Sequence, residues 1–259
     1  MKFYKLSTVL VTAILLSACA KAPDNQLLVF LDSEQGIKPY QTRVIVTPTE
    51  VRFDDGAGSK SYTLFDRTSR IARTVDMDER TILEMHPKSV KVKPPFALTY
   101  DTKDLGDMKD APKIMGKAPK HYQDFTNNKL CFDVIAVDGL MPQVVQALSE
   151  FHQMLASDSA VTFNNIPADL QDPCSIAMNT FAPTRYLQHG FPIHWWRTGY
   201  SRMLVDYKEH YQPDPKLFEI PSGYFTYSVQ QVRDGVVDLD KRKIRKPQPE
   251  KNSNAGVSS

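Results

Sequence analysis

The chain has 259 residues, with 32 Lys and Arg against 30 Asp and Glu. Lys2 and Lys5 account for that excess, so beyond the N-terminal leader the charges balance and give no electrostatic footprint for nucleic acid or an acidic surface. Eleven Tyr, 13 Phe and 18 Pro favour a turn-rich β fold over a helical bundle.

Lys2 and Lys5 form a basic start, and Leu6 to Ala20 carry no charge. That run is about 15 residues, short of the roughly 20 a transmembrane helix needs. Lys21-Ala22-Pro23-Asp24 then breaks any helix, which is the layout of a secretory signal. The run ends in Leu16-Ser17-Ala18-Cys19, which resembles the bacterial lipobox. The resemblance implies diacylation of Cys19, cleavage before it and acylation of the new amine. Two or more acyl chains anchor stably where one does not. An ordinary signal peptide that carries a Cys is the alternative. In lipoprotein sorting, Asp after the lipidated Cys favours the inner membrane; Ala20 implies the periplasmic face of the outer membrane. With Cys19 set aside, Cys131 and Cys174 remain, and in an oxidising compartment a disulfide is the default. A catalytic thiol is the alternative, but neither position carries a nucleophile signature.

The reading assigns residues 1–18 to the signal peptide, 19–26 to a lipidated tether, 27–237 to one domain and 238–259 to a polar tail. Leu27–Leu31 opens the fold. Thr42–Thr47, Glu50–Phe53, Ser61–Asp66, Arg70–Val75 and Thr81–Met85 are β-branched or aromatic and separated by Pro48, Asp54-Asp55-Gly56 and polar turns. They read as an antiparallel meander. Phe96–Tyr100 is expected to be a strand, and polar residues 101–119 an exposed loop. His121–Phe125 and Leu130–Val137 form a hairpin around Asn127-Asn128.

Pro142 begins the one long helix. Met141, Val144, Val145, Leu148, His152 and Leu155 recur at helical spacing, with Gln143, Gln146, Glu150 and Gln153 opposite. A short helix follows Asp172-Pro173, capped by Asp172. Arg185–His189, Ile193–Arg197, Ser201–Tyr207 and Phe225–Val229 read as strands, and the chain from Lys241 as a disordered tail. The fold class is therefore α+β: a curved antiparallel half-barrel of roughly a dozen strands, its concave face covered by a long amphipathic helix and a short one.

Three stretches carry a family resemblance. They are Tyr62–Arg67 with Ile71–Val75 and Arg80–Met85, the long helix between two strand groups, and Val205-Asp206-Tyr207 followed by Pro213–Tyr224. The pattern resembles the LolA/LolB/RseB superfamily of periplasmic lipoprotein carriers and sensors. That resemblance implies an open half-barrel with helices enclosing an apolar cavity for acyl chains, or a sensing module. A lipidated chain departs from the soluble carrier, so it implies a fixed acceptor, chaperone or sensor. The implied partners are the membrane, through the N-terminal lipid, and a lipid acyl chain or another lipoprotein.

The candidate lining of such a cavity is Val144, Val145, Leu148 and Leu155 from the helix, with Trp195 and Trp196. Neighbours on a strand point to opposite faces, so only one tryptophan can face a cavity; one core and one half-exposed Trp is the plainer reading. His152, His189 and His194 match no compact zinc spacing, and Asp76-Met77-Asp78-Glu79 lacks the glycine and length of a calcium loop. Gly56-Ala57-Gly58-Ser59-Lys60 lacks P-loop spacing, and Gly199-Tyr200-Ser201 lacks the second Gly of a nucleophile elbow. The expectation is a non-enzymatic protein without cofactor or metal.

Overall fold

Twelve strands join one sheet in the computed structural model, which describes residues 24–89, 91–163, 167 and 171–244. The stretch expected to be a signal peptide, with Leu16-Ser17-Ala18-Cys19, and the residues from 245 lie outside the described residues. The N-terminal strands are β1 (Gln26–Glu34), β2 (Tyr40–Val46), β3 (Glu50–Asp54), β4 (Ser61–Asp66), β5 (Ile71–Asp76) and β6 (Thr81–Met85). Then come β7 (Tyr100–Asp107), β8 (Lys120–Thr126), β9 (Lys129–Val137), α1 (Pro142–Phe163) and α2 (Pro173–Ile176). The C-terminal elements are β10 (Phe191–Arg197), β11 (Tyr200–Lys208), β12 (Phe225–Ser228), α3 (Val229–Arg233), β13 (Val237–Asp238) and β14 (Lys243–Ile244).

Two local meanders meet at a central seam, in the order β12-β6-β5-β4-β3-β2-β1-β11-β10-β9-β8-β7. Every pairing in this sheet is antiparallel except β12 on β6. The end strands β7 and β12 do not pair with each other, so the sheet is open. It must nevertheless curl. Helix α1 brings Phe151 to 5.4 Å from the Phe65 ring on β4 and also meets β10. Those strands stand five spacings of about 4.8 Å apart, more than the width of a helix, about 10 Å. Thr63 of β4 and Trp195 of β10 also line one cavity with Phe151, which a sheet curled round the helix allows.

Strand alternation sorts the side chains. Leu28 and Phe30 of β1, Val44 and Val46 of β2, Val51 of β3 and Phe65 of β4 point inward and are buried. They form one core with Val134, Ala136 and Val137 of β9 and with Val144, Ala147 and Leu148 of α1. Burying each large aliphatic or aromatic side chain there contributes about 1.5–3 kcal/mol. Arg67, after β4, donates to Glu150 of α1 at 2.7 Å, fixing the helix against the meander.

The outer face is covered on one side only. The segment from Asp214 to Tyr224 runs across β3–β6 before β12 joins the edge. Phe218 and Tyr224 pack on Tyr62, Leu64, Val75 and Ile82, forming a second, smaller core. Arg52 donates from Nη1 to the Leu217 carbonyl at 2.5 Å, and Tyr62 Oη donates to the Glu219 carbonyl at 3.2 Å. Beneath this strap the Asp54 carboxylate is buried between Arg43 and Arg52.

Cys131 and Cys174 form a disulfide that ties β9 to α2 across 43 residues. In the chain-entropy description such a closure contributes about 3–4 kcal/mol. Asp172 caps α2 by accepting from the Ser175 N–H at 3.0 Å.

Four readings of the sequence need correction. Arg185–Leu187 is a 3-10 turn rather than a strand, because the Arg185 guanidinium turns in to donate to the Phe125 and Asp101 carbonyls. The stretch read as a loop from residue 101 begins within β7, whose side chains are nearly all exposed; backbone pairing with β8, rather than an apolar face, makes it a strand. Phe96–Thr99 lies before that strand. The last strand of the sheet runs parallel, a consequence of the strap crossing the outer face before it pairs. The polar C-terminal stretch includes the small β13–β14 pair, where Val237 faces Ile244.

Candidate functional site

Between α1 and the sheet lies a cavity of about 280 Å³. Phe30, Val44 and Phe53 from the N-terminal meander, Leu148 and Phe151 from α1, and Pro192 and Trp195 from β10 form its apolar wall. Thr42, Thr63, His152, Tyr186 and Arg202 supply its polar groups, and no carboxylate among the described residues lines it. An apolar hollow with a few converging polar groups is the usual form of a small-molecule site.

Each wall residue is placed by a local rule. Leu148, Phe151 and His152 follow one another on α1 at helical spacing, so all three reach the same side. Trp195 lies opposite both Val134 and Arg202 in the strand register, and shares their inward face. Its ring packs 5.5 Å from Tyr186 and 4.9 Å from Tyr200. The 3-10 turn that replaces the expected strand carries Tyr186 under the helix, where its hydroxyl lies 2.7 Å from Nε2 of His152. Burial pushes His152 down to about 4, with the Arg202 charge adding to it, so the imidazole is neutral at ordinary pH. Burial likewise holds the Tyr186 phenol protonated.

Arg202 brings an ion pair to the cavity wall. Arg202 donates from Nε and Nη2 to the two oxygens of Asp32 at 2.7 and 2.9 Å. Asp32 is fully buried and also accepts from Thr42 Oγ1 and the Tyr200 hydroxyl, both at 2.6 Å. Burial alone would raise its carboxyl, but the bonds from Arg202, Thr42 and Tyr200 outweigh that and hold it below the usual value. For Tyr200, burial and the Asp32 carboxylate outweigh the opposing Arg202 charge and raise the phenol.

Of the residues expected to line a cavity, Leu148 and Trp195 do so. Val144 is fully buried in the core, and Val145 and Leu155 pack against it from its edge. Trp196 lies on the outer face, 4.6 Å from His194 and 5.5 Å from His121. His121 contacts Asp133 at 2.8 Å, and His194 contacts Ser201 at 2.9 Å, beside an open cleft. His189 stacks on Tyr122 at 4.2 Å and bonds the buried Asp124 at 3.0 Å. His152, His189 and His194 thus belong to three separate places.

Sequence reasoning missed Asp32, Arg202 and Thr42. Strand parity carried the signal: Leu28, Phe30 and Asp32 alternate on one face, so an inward Leu and Phe imply an inward Asp.

No protein-family model matches the chain, and no curated protein matches it. Among solved structures it is similar to an uncharacterised conserved protein from Thermus thermophilus, at 8% identity and a TM-score of 0.40, covering 80% of this chain and 91% of that one. It is also similar to PNGF-II, at 10% identity and a TM-score of 0.40, covering 82% of this chain and 33% of that one.

Proposed function

We propose that the chain is a lipid-anchored envelope protein, held through Cys19 at the periplasmic face of the outer membrane. Its inner cavity takes an acyl chain or an apolar segment of another lipoprotein. It acts without catalysis, as an acceptor or chaperone in envelope maintenance, in the manner of the LolA/LolB/RseB superfamily. The observation that carries this reading is an apolar hollow under α1, in a chain whose Leu16-Ser17-Ala18-Cys19 resembles a lipobox.

Native mass spectrometry of full-length protein extracted from membranes tests it. The expected result is a lipid mass beyond the covalent anchor, lost in Leu148→Trp, which fills the hollow from α1. A consistently empty wild-type protein would sink the proposal.

The outer face favours a second reading, an interaction or sensory module. There Met203 is exposed beside His194 and Trp196, on the part of the sheet the strap leaves uncovered. Photo-crosslinking from position 203 in intact cells would then capture an envelope protein, while the cavity stays empty.

A further inference from the structure

The hydrogen bonds around Arg202, on the cavity wall, are lopsided. Asp32 receives four donors: Arg202 Nε, Arg202 Nη2, Thr42 Oγ1 and Tyr200 Oη. A carboxylate offers about four lone-pair sites, so this one has none left to offer a ligand. Arg202 differs. Two of its three nitrogens bind Asp32, and Nη1, with two N–H groups, has no partner among the described residues. Its side chain retains 25% of its exposure although it sits inside the fold, and it lines the cavity.

The other polar groups do not redress the balance. Thr63 pairs with Thr74 at 2.9 Å, and the Tyr186 hydroxyl is engaged with His152. The ion pair is neutral as a whole, but it is oriented, with its anionic half buried in the sheet and its cationic half on the hollow. An N–H pair that faces a hollow can take a ligand's acceptor, and a charged acceptor satisfies a guanidinium best.

We propose that the cavity is specific for an amphiphile with a carboxylate head, which accepts from Nη1 of Arg202 while its alkyl chain lies along Phe30, Phe53, Leu148 and Phe151. This rests on the reading that the hollow takes an apolar chain, and adds the head-group chemistry. The volume, about 280 Å³, is at the small end of the ~300–1,000 Å³ of ordinary ligand pockets, which points to a medium-length chain. An amine head would bring a second cation to Arg202. An alcohol can accept there, but brings no charge.

The test titrates the full-length protein, held in amphipol, with decanoate, decanol and decylamine at pH 7.5, and counts bound ligand by native mass spectrometry. The expected order is decanoate at least tenfold tighter than decanol, with decylamine weakest. Equal binding of all three would overturn the head-group proposal and leave the chain-binding reading standing. Binding of none would overturn both. Arg202→Lys keeps a cation for Asp32 but removes the planar pair of free N–H groups. It should bring decanoate to the level of decanol, and an undiminished preference in that variant would overturn the proposal. Should Arg202→Lys fail to fold, the wild-type series decides alone.

Discussion

His152 makes stability fall with mild acid, by an amount the structure sets. Its imidazole is buried against Tyr186, and burial lowers its pKa from 6.5 to about 4. The unfolded chain therefore takes up a proton that the folded chain refuses. The contribution is complete above pH 6.5 and is lost as pH falls toward 4. A difference of about 2.5 units at 1.36 kcal/mol each gives roughly 3 kcal/mol in all, and about 2 kcal/mol by pH 5. Asp32 and Asp54 have lowered values, so their contributions are lost only further into acid and do not enter this window. His194 is also lowered by burial and adds in the same direction. The comparison that isolates His152 is His152→Gln, whose amide can still bond the Tyr186 hydroxyl. Urea unfolding followed by tryptophan emission at pH 7.5, 6.0 and 5.0 should show wild type losing about 2 kcal/mol more than the variant. Equal losses in the two proteins would refute the burial argument.

Three other perturbations have worked outcomes. Gly190→Ala places a Cβ 2.5 Å from the Val137 carbonyl oxygen at a φ of +103°, and should cost upwards of about 2 kcal/mol, read as a lowered denaturation midpoint. Cys174→Ser should lose about 3 kcal/mol by thermal or urea unfolding, and reductant should bring wild type to the same value. Asp54→Ala leaves the buried Arg52 and the partly buried Arg43 without their partner and should cost about 3 kcal/mol, with strap cleavage by protease accelerated in the same variant.

Much of the fold was legible because it is local. The N-terminal meander is written in β-branched and aromatic alternation, each strand ending in a turn signal, and α1 in its helical spacing. Where a long-range contact decided the structure, local pattern misled. Arg185-Tyr186-Leu187 has a strand's composition, but the guanidinium's bonds to β7 and β8 curl it into a turn. Strand β7 has no apolar alternation because it is an exposed edge, and its Asp101, Lys103, Asp104 and Asp107 discourage further pairing. The site divides the same way. Leu148 and Trp195 follow from helix and strand periodicity. The polar end needs Asp32 and Arg202 together, 170 residues apart in sequence, and no local pattern pairs them.

That separation gives the ion pair a role in how the molecule is assembled. Strand β1 finds β2 at once, but its other edge stays open until β11 is available, and this seam is a far longer closure than the hairpins on either side. A slip of one residue along the seam would turn Arg202 outward and leave Asp32 sealed in the sheet with its charge uncompensated. The pair thus works as an alignment key, admitting one register between the halves of the sheet and penalising its neighbours at the step where the chain has the most wrong choices.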